Sequence, residues 1–263
     1  TINGTGELSA DDVVLVATGD IGSATDGLQV DAHRLAARTD DGSIFIDAED
    51  DLVIAALELE VCDAPAGLDT NVVGVQAGGD DNVVGLTTGG SLTIESVVET
   101  AGDNGTVSLE AGGDILDDNG DNSPAVVSGN VTLESGGTIG GTDGPFEIEA
   151  ERLASSANGD ISVKDLDGDL EITELTPVFD GSTPLTGVTS TNGDICLEAA
   201  DGTLTVSQAV TADSADATIG LNAAQNIVVN ADVTADSKVS ALAQNGTING
   251  TGELSADDVV LVA

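Results

Sequence analysis

Stretches of alternating apolar and polar residues return along the whole chain, each closed by a small or acidic turn. They read VVLVATGDI from Val13, SIFIDAEDDLVI from Ser43, VVGVQAGGDD from Val72, VSLEAGGDI from Val107, VTLESGGTI from Val131, ICLEAADGTLTV from Ile195 and VSALAQNGTI from Val239. Alternation with period two marks a strand with one buried face. In VSLEA, Val107, Leu109 and Ala111 share one face, and Ser108 and Glu110 share the other. The Gly-Asp and Asn-Gly pairs that follow turn the chain. Late in the chain the spacing tightens: Ile195 to Ile219 is 24 residues, and Ile219 to Val239 and Val239 to Val259 are 20 each. Short strands and tight corners at that period predict an all-β solenoid of about 20–24 residues per coil, with occasional longer loops. Each coil stacks about 4.8 Å above the last, and every strand pairs in parallel with its equivalents above and below. TPVFDGSTPLTG, Thr176 to Gly187, breaks the rhythm and reads as a loop bulging from one coil.

A longer repetition overlies the short one. TINGTGELSADDVVLVA opens the chain at Thr1–Ala17 and recurs without a change at Thr247–Ala263, an offset of 246 residues. Identity at a fixed offset is the mark of a repeat architecture. Residues 1–263 therefore read as a single continuous solenoid, a window of a longer array. Residues 1–246 are one full unit, and 247–263 begin the next identical one. Within the unit, IGSATDGLQVDAHRLAA (Ile21–Ala37) matches IGGTDGPFEIEAERLAS (Ile139–Ser155) at an offset of 118, which suggests two related halves, roughly 1–118 and 119–246. Eleven or so coils would give the unit an axial length of roughly 50–55 Å.

The GDI-x-[VLI]-x-A rhythm and the paired IG…DG…L-A blocks resemble the repeats of filamentous-haemagglutinin-type exoproteins and large bacterial autotransporter adhesins. The likeness runs over essentially the whole chain and is specific for architecture rather than for any one family. It implies a right-handed parallel β-helix, secretion, and display at the cell surface or outside the cell.

Composition narrows the function classes. The apolar residues are Val, Ile, Leu and Ala with three Phe and no Trp, Tyr or Met, which suits a thin, repetitive interior. A net charge of −43 with five basic residues repels nucleic acid and anionic headgroups and attracts cations. No stretch of eighteen apolar residues is present, so no membrane insertion is expected. A glycan-cleaving groove would need aromatic rings and basic residues that are scarce here, and the single histidine, His33, has the polar phase of its strand, so an enzyme is not expected.

The acidic turns are the candidate cation ligands. KDLDGDLE carries Asp165, Asp167 and Asp169, and DDNGDN carries Asp117, Asp118 and Asp121. Asp-Gly turns offer carboxylates and carbonyls together, as calcium prefers, but Gly168 falls where no EF-hand loop places it. Weak, scattered binding of calcium or other cations is the expectation, with no cofactor required. Val14, Val16 and Val228 take the outward phase and are candidate contacts for a neighbouring chain. Cys62 and Cys196 also take the outward phase, 134 residues apart, about six coils. A disulfide needs Cα atoms within about 7 Å, so a bond would join neighbouring chains staggered by half a unit. The reading as a whole is a structural extracellular filament or sheath whose partners are copies of itself, joined end to end and bundled laterally. The alternative is the stalk of a giant secreted adhesin whose binding head lies elsewhere.

Overall fold

A computed structural model describes residues 1–59, 71–102, 104–120, 122–141 and 144–263. Among these residues there is no helix, and the strands form a parallel β-solenoid. Each coil carries three short strands. Val83–Thr88, Leu92–Ile94 and Val98–Thr100 make one, and Thr106–Ala111, Ile115–Asp117 and Val126–Val127 make the next, each strand lying parallel on its equivalent. Steps between coils without a hairpin run from 17 residues, Phe146 to Val163, to 28, Val98 to Val126.

One column can be followed through the whole unit. It passes from Ile2 through Ile21, Ile44, Val84, Val107, Val131, Leu153, Ile172, Val206 and Val229 to Gly250. Those are ten steps, and they end on Ile248–Gly250, the strand that repeats residues 2–4. The unit is thus ten coils rather than eleven or so, and at about 4.8 Å per coil it rises ~48 Å.

The interior is built from stacked β-branched and leucine side chains. Val84, Val107, Val131 and Leu153 are all fully buried, and Phe146 is the one ring enclosed in this core. Where strands end, a hydroxyl takes the inward position and bonds the corner: Thr39 Oγ1 donates to Gly42 O (2.5 Å), Ser135 Oγ to Thr138 O (3.0 Å) and Ser190 Oγ to Gly159 O (2.7 Å). These bonds satisfy carbonyls that leave the ladder as the chain turns.

The wall opens twice, once in each half and at matching places. The twelve-residue strand Leu28–Thr39 carries three separate strands above it, Ile44–Ala48, Leu52–Ile54 and Val75–Ala77. Between the last two the chain leaves the wall, and Ala56–Glu58 pairs antiparallel with Asn71–Val73. In the other half Arg152–Ala157 carries Leu170–Ile172 and Val188–Ser190, and between them Glu174–Leu175 pairs antiparallel with Leu185–Thr186. Both hairpins return to the wall through a glycine of positive φ, Gly74 (64°) and Gly187 (73°). The loop expected at Thr176–Gly187 is therefore the outer part of a hairpin. Leu57, on the stem of the first hairpin, is buried in a cluster outside the main core with Ala36, Ala55 and Val72.

The two identical segments lie at opposite ends of the ladder. Leu8–Ala17 pairs with Val30–Thr39 above it, whereas Asp258–Val262 pairs with Lys238–Leu242 below it. Val13 and Leu15 are 8% and 6% exposed, while their copies Val259 and Leu261 are 44% and 52% exposed. The same side chains differ only by the presence of the next coil.

Candidate functional surfaces

The acidic turns have a backbone role that their charge conceals. At several corners the amide of the coil above lacks a ladder carbonyl, and a carboxylate supplies the acceptor. Asp51 Oδ1 accepts from Ser91 N (2.7 Å), Asp114 Oδ1 from Thr138 N (2.7 Å), Asp160 Oδ1 from Asp194 N (2.8 Å) and Asp194 Oδ1 from Thr218 N (2.7 Å). Asp169 Oδ1 accepts from Thr203 N (2.7 Å) in the same way. Charge-assisted bonds of this kind are strong, but stacking one acid over the next costs repulsion. Asp194→Ala should therefore lower the unfolding free energy by about 1–2 kcal/mol, and Asp194→Asn, which keeps the acceptor, should leave it within about 0.5 kcal/mol. Urea titrations of the two variants measure this; equal losses would assign the effect to charge instead.

Among the described residues no three acidic, histidine or cysteine side chains converge on a space suited to a metal ion. Asp167 and Asp169 are exposed at their turn, and Asp118 is exposed at its own. Asp117 is half-buried and accepts from Asn119 N and Glu147 N (both 2.9 Å); burial pushes its carboxyl above the usual range. Asp121 lies outside the described residues. Asp165 requires a correction. It is not a solvated turn acid beside Asp167 and Asp169 but is fully buried, stacked between Ile148 and Ala199. Its Oδ1 accepts from Ala150 N (3.0 Å), its Oδ2 has no partner, and desolvation raises its carboxyl to about 7.

A surface cleft of about 870 Å³ runs along the corners between Thr100 and Thr205. Glu149, Glu151, Asp167, Asp169 and Glu171 surround Arg152 in it, so it favours cations over anions.

Two outward columns differ in their cover. In one, Phe45, Gly85, Ser108, Thr132 and Ala154 stack coil upon coil and point outward. All five are buried, because the hairpin between Glu174 and Thr186 folds back over them. Val178 N donates to Ser108 Oγ (3.1 Å) and Asp180 N to Ala24 O (2.9 Å). A Cβ at Gly85 would stand 2.8 Å from Phe179 and 3.0 Å from Phe45, so the ring of Phe179 fills the space that glycine leaves. In the other, the outward residues are Ser162, Cys196, Gly220, Ser240 and Val260, and no described residue covers them fully. A pocket of about 270 Å³ at its lower end is lined by Ile139, Gly140, Ser162, Asp194 and Cys196.

Cys196 takes the outward phase expected of it and is exposed; desolvation, then the Glu198 carboxylate, push its thiol up. Cys62 lies outside the described residues. Val14 and Val16 are half-buried against Leu57 and Val72 of this chain's own hairpin. Val228 stands alone between Thr205 and Asn249, so no apolar strip runs along its column. His33 is exposed. Both outward columns were missed by sequence reasoning, since their members are scattered residues that align only once the register is known. Comparison with known protein families, curated proteins and solved structures yields no match.

Proposed function

We propose that this chain is a building unit of an extracellular structural filament, in which the 246-residue unit continues end to end as one solenoid. The observation that carries the reading is the pair of identical end segments. The strand Leu8–Ala17 is covered on the side where Asp258–Val262 is open, and the cover consists of Val30–Thr39 from the following coil. A copy that supplies residues 18 onward above Ala263 in the same register would bury Val259 and Leu261 as Val13 and Leu15 are buried here. Pairing at that edge is strand addition, which uses backbone bonds for affinity and matched side chains for register. The role is mechanical, the load being carried by the ladder and the stacked core, and the partners are copies of the unit itself.

Charge sets the conditions. With 43 net negative charges on 263 residues, approach of one copy to another is opposed at low ionic strength and eased when the Debye length falls from ~10 Å at 0.1 M salt to ~3 Å at 1 M. Electron microscopy of purified chain at rising sodium chloride should show filaments with a strand spacing of about 4.8 Å. Particles that stay monomeric through molar salt would count against the proposal. Growth with micromolar calcium alone would point instead to specific cation sites.

A further inference from the structure

We propose that Lys164 and Asn122 join in an isopeptide bond, formed by the chain itself with Glu147 as the proton carrier. The inference goes beyond the end-to-end reading, because the bond forms within one molecule whether or not copies associate. Val126, Ile148 and Asp165 stack inward on three successive coils. The residues just before them, Ala125, Glu147 and Lys164, therefore form the neighbouring outward column. An outward glutamate is ordinarily solvated, yet Glu147 is only 6% exposed. Beside it, the chain between the strands Ile115–Asp117 and Val126–Val127 is tied against the wall. Asp117 Oδ2 accepts from Glu147 N (2.9 Å), and Asn119 Nδ2 donates to Pro124 O (2.8 Å). Asn122 stands in this stretch with a φ of 61°, a left-handed conformation that Asn tolerates better than most side chains.

Three groups from three coils meet there. Lys164 Nζ donates to Glu147 Oε1 (2.8 Å) and to Asn122 Oδ1 (3.2 Å). The lysine side chain is 19% exposed, against 42% and 44% for Arg34 and Arg152 in their own ion pairs, so this pair is the one held away from water. An ammonium does not attack a carboxamide, but a free amine held against one is a nucleophile. Glu147 lies within the hydrogen-bond reach that direct proton transfer needs. With a carbonyl bond of about 1.2 Å, Nζ stands within about 4.4 Å of Asn122 Cγ, roughly 1 Å short of attack distance. The step balances without an oxidant. Glu147 takes one proton from Lys164 Nζ, the amine attacks Cγ of Asn122, and the Cγ–Nδ2 bond breaks. The proton on Glu147 and one from the attacking nitrogen pass to Nδ2, which leaves as ammonium, and Glu147 ends ionised as it began. Asn122 is exposed, which gives the ammonium an exit. The new bond ties Asn122 to the coil two steps above it, so three successive coils are clasped at one corner.

Intact-mass spectrometry of the purified 263-residue chain, held at neutral pH, should give a mass short of the sequence by one ammonia. Digestion at acidic residues should release a branched peptide that joins the segments of Asn122 and Lys164. Lys164→Arg should restore the full mass, and so should Asn122→Gly, which suits the left-handed backbone. Glu147→Gln, with the circular dichroism of the wild type, should slow formation of the branched peptide about a hundredfold. A succinimide at an Asn-Gly pair also loses ammonia, and the lysine variant separates the two. A wild-type chain of full mass, or a loss that persists in Lys164→Arg, overturns the inference. A branched peptide that forms as fast in Glu147→Gln overturns the role given to Glu147. None of these measurements depends on filament growth, so failure of that reading and failure of this one are told apart.

Discussion

Replacing Asp165 by Asn should remove a pH-dependent weakness worth about 4 kcal/mol between pH 4 and pH 8. In the unfolded chain this carboxyl ionises near 3.8; in the folded chain desolvation holds its proton until about 7. Between those values the folded state binds more protons, so raising the pH favours unfolding by up to ~1.4 kcal/mol per unit, and the loss levels off above pH 7. Among the described residues no cation offsets the charge: Asp165 is fully buried, its Oδ2 is unpaired, and Asp167, Glu149 and Asp169 add repulsion. Asn keeps the acceptor for Ala150 N and carries no charge at any pH. Its amide takes the place of Oδ2, which has no partner, so at pH 4 the variant should be level with the wild type or weaker by about 1 kcal/mol. By pH 8 it should be clearly the more stable. The difference between the two curves isolates Asp165 from the other acids, which titrate in both. Urea unfolding at half-unit steps measures it, and parallel curves would show that the buried carboxyl is solvated in some way the geometry does not reveal.

The residue that carries this effect also shows where sequence reading stops. The strand ISVKD alternates, and Ile161, Val163 and Asp165 share one phase, so the pattern itself turned Asp165 inward while its charge argued for solvent. Backbone phase won, because turning one residue out would break the pairing with Ile148 and Ala199 on either side. Elsewhere phase and chemistry agreed. Val107, Leu109 and Ala111 are buried as their alternation requires, and Cys196 faces out. Alternation alone does not say which sheet a strand joins. Ala56–Glu58 alternates as well as any wall strand, yet it pairs antiparallel in a hairpin. The outward columns were hidden for a different reason. Phe45, Gly85, Ser108, Thr132 and Ala154 become neighbours only through the register, and the 40-residue step from Ile44 to Val84 is set by a hairpin whose extent the period did not disclose. The same long steps explain why a mean coil length gave eleven coils where the ladder has ten.

Gly187→Ala should destabilise the chain by about 3 kcal/mol and release the hairpin that covers the column from Phe45 to Ala154. Gly187 has a φ of 73° at the point where the chain returns from Leu185–Thr186 to the wall strand Val188–Ser190. An L side chain there pays about 1 kcal/mol for the left-handed conformation. The larger part is steric: a Cβ would lie 2.0 Å from the carbonyl oxygen of Ala209 in the coil above, which is backbone and cannot swing aside. Gly74 occupies the equivalent return in the other half, with a φ of 64° and a Cβ position 1.9 Å from Val97 O, so Gly74→Ala should behave alike. Gly181 separates the two costs. Its φ is 79°, but nothing lies within 4 Å of its Cβ position, so Gly181→Ala should cost only about 1 kcal/mol. Moving the return strand pulls on Val178, whose amide is held by Ser108 Oγ, and on Phe179 over Gly85. Amide exchange at Val178 and Asp180 should therefore accelerate in Gly187→Ala well beyond its rate in Gly181→Ala, and a protease should cut between Val178 and Pro184. If the two variants lose the same stability and protect Val178 equally, the hairpin is held by its own turn rather than by the close approach of Gly187 to the coil above.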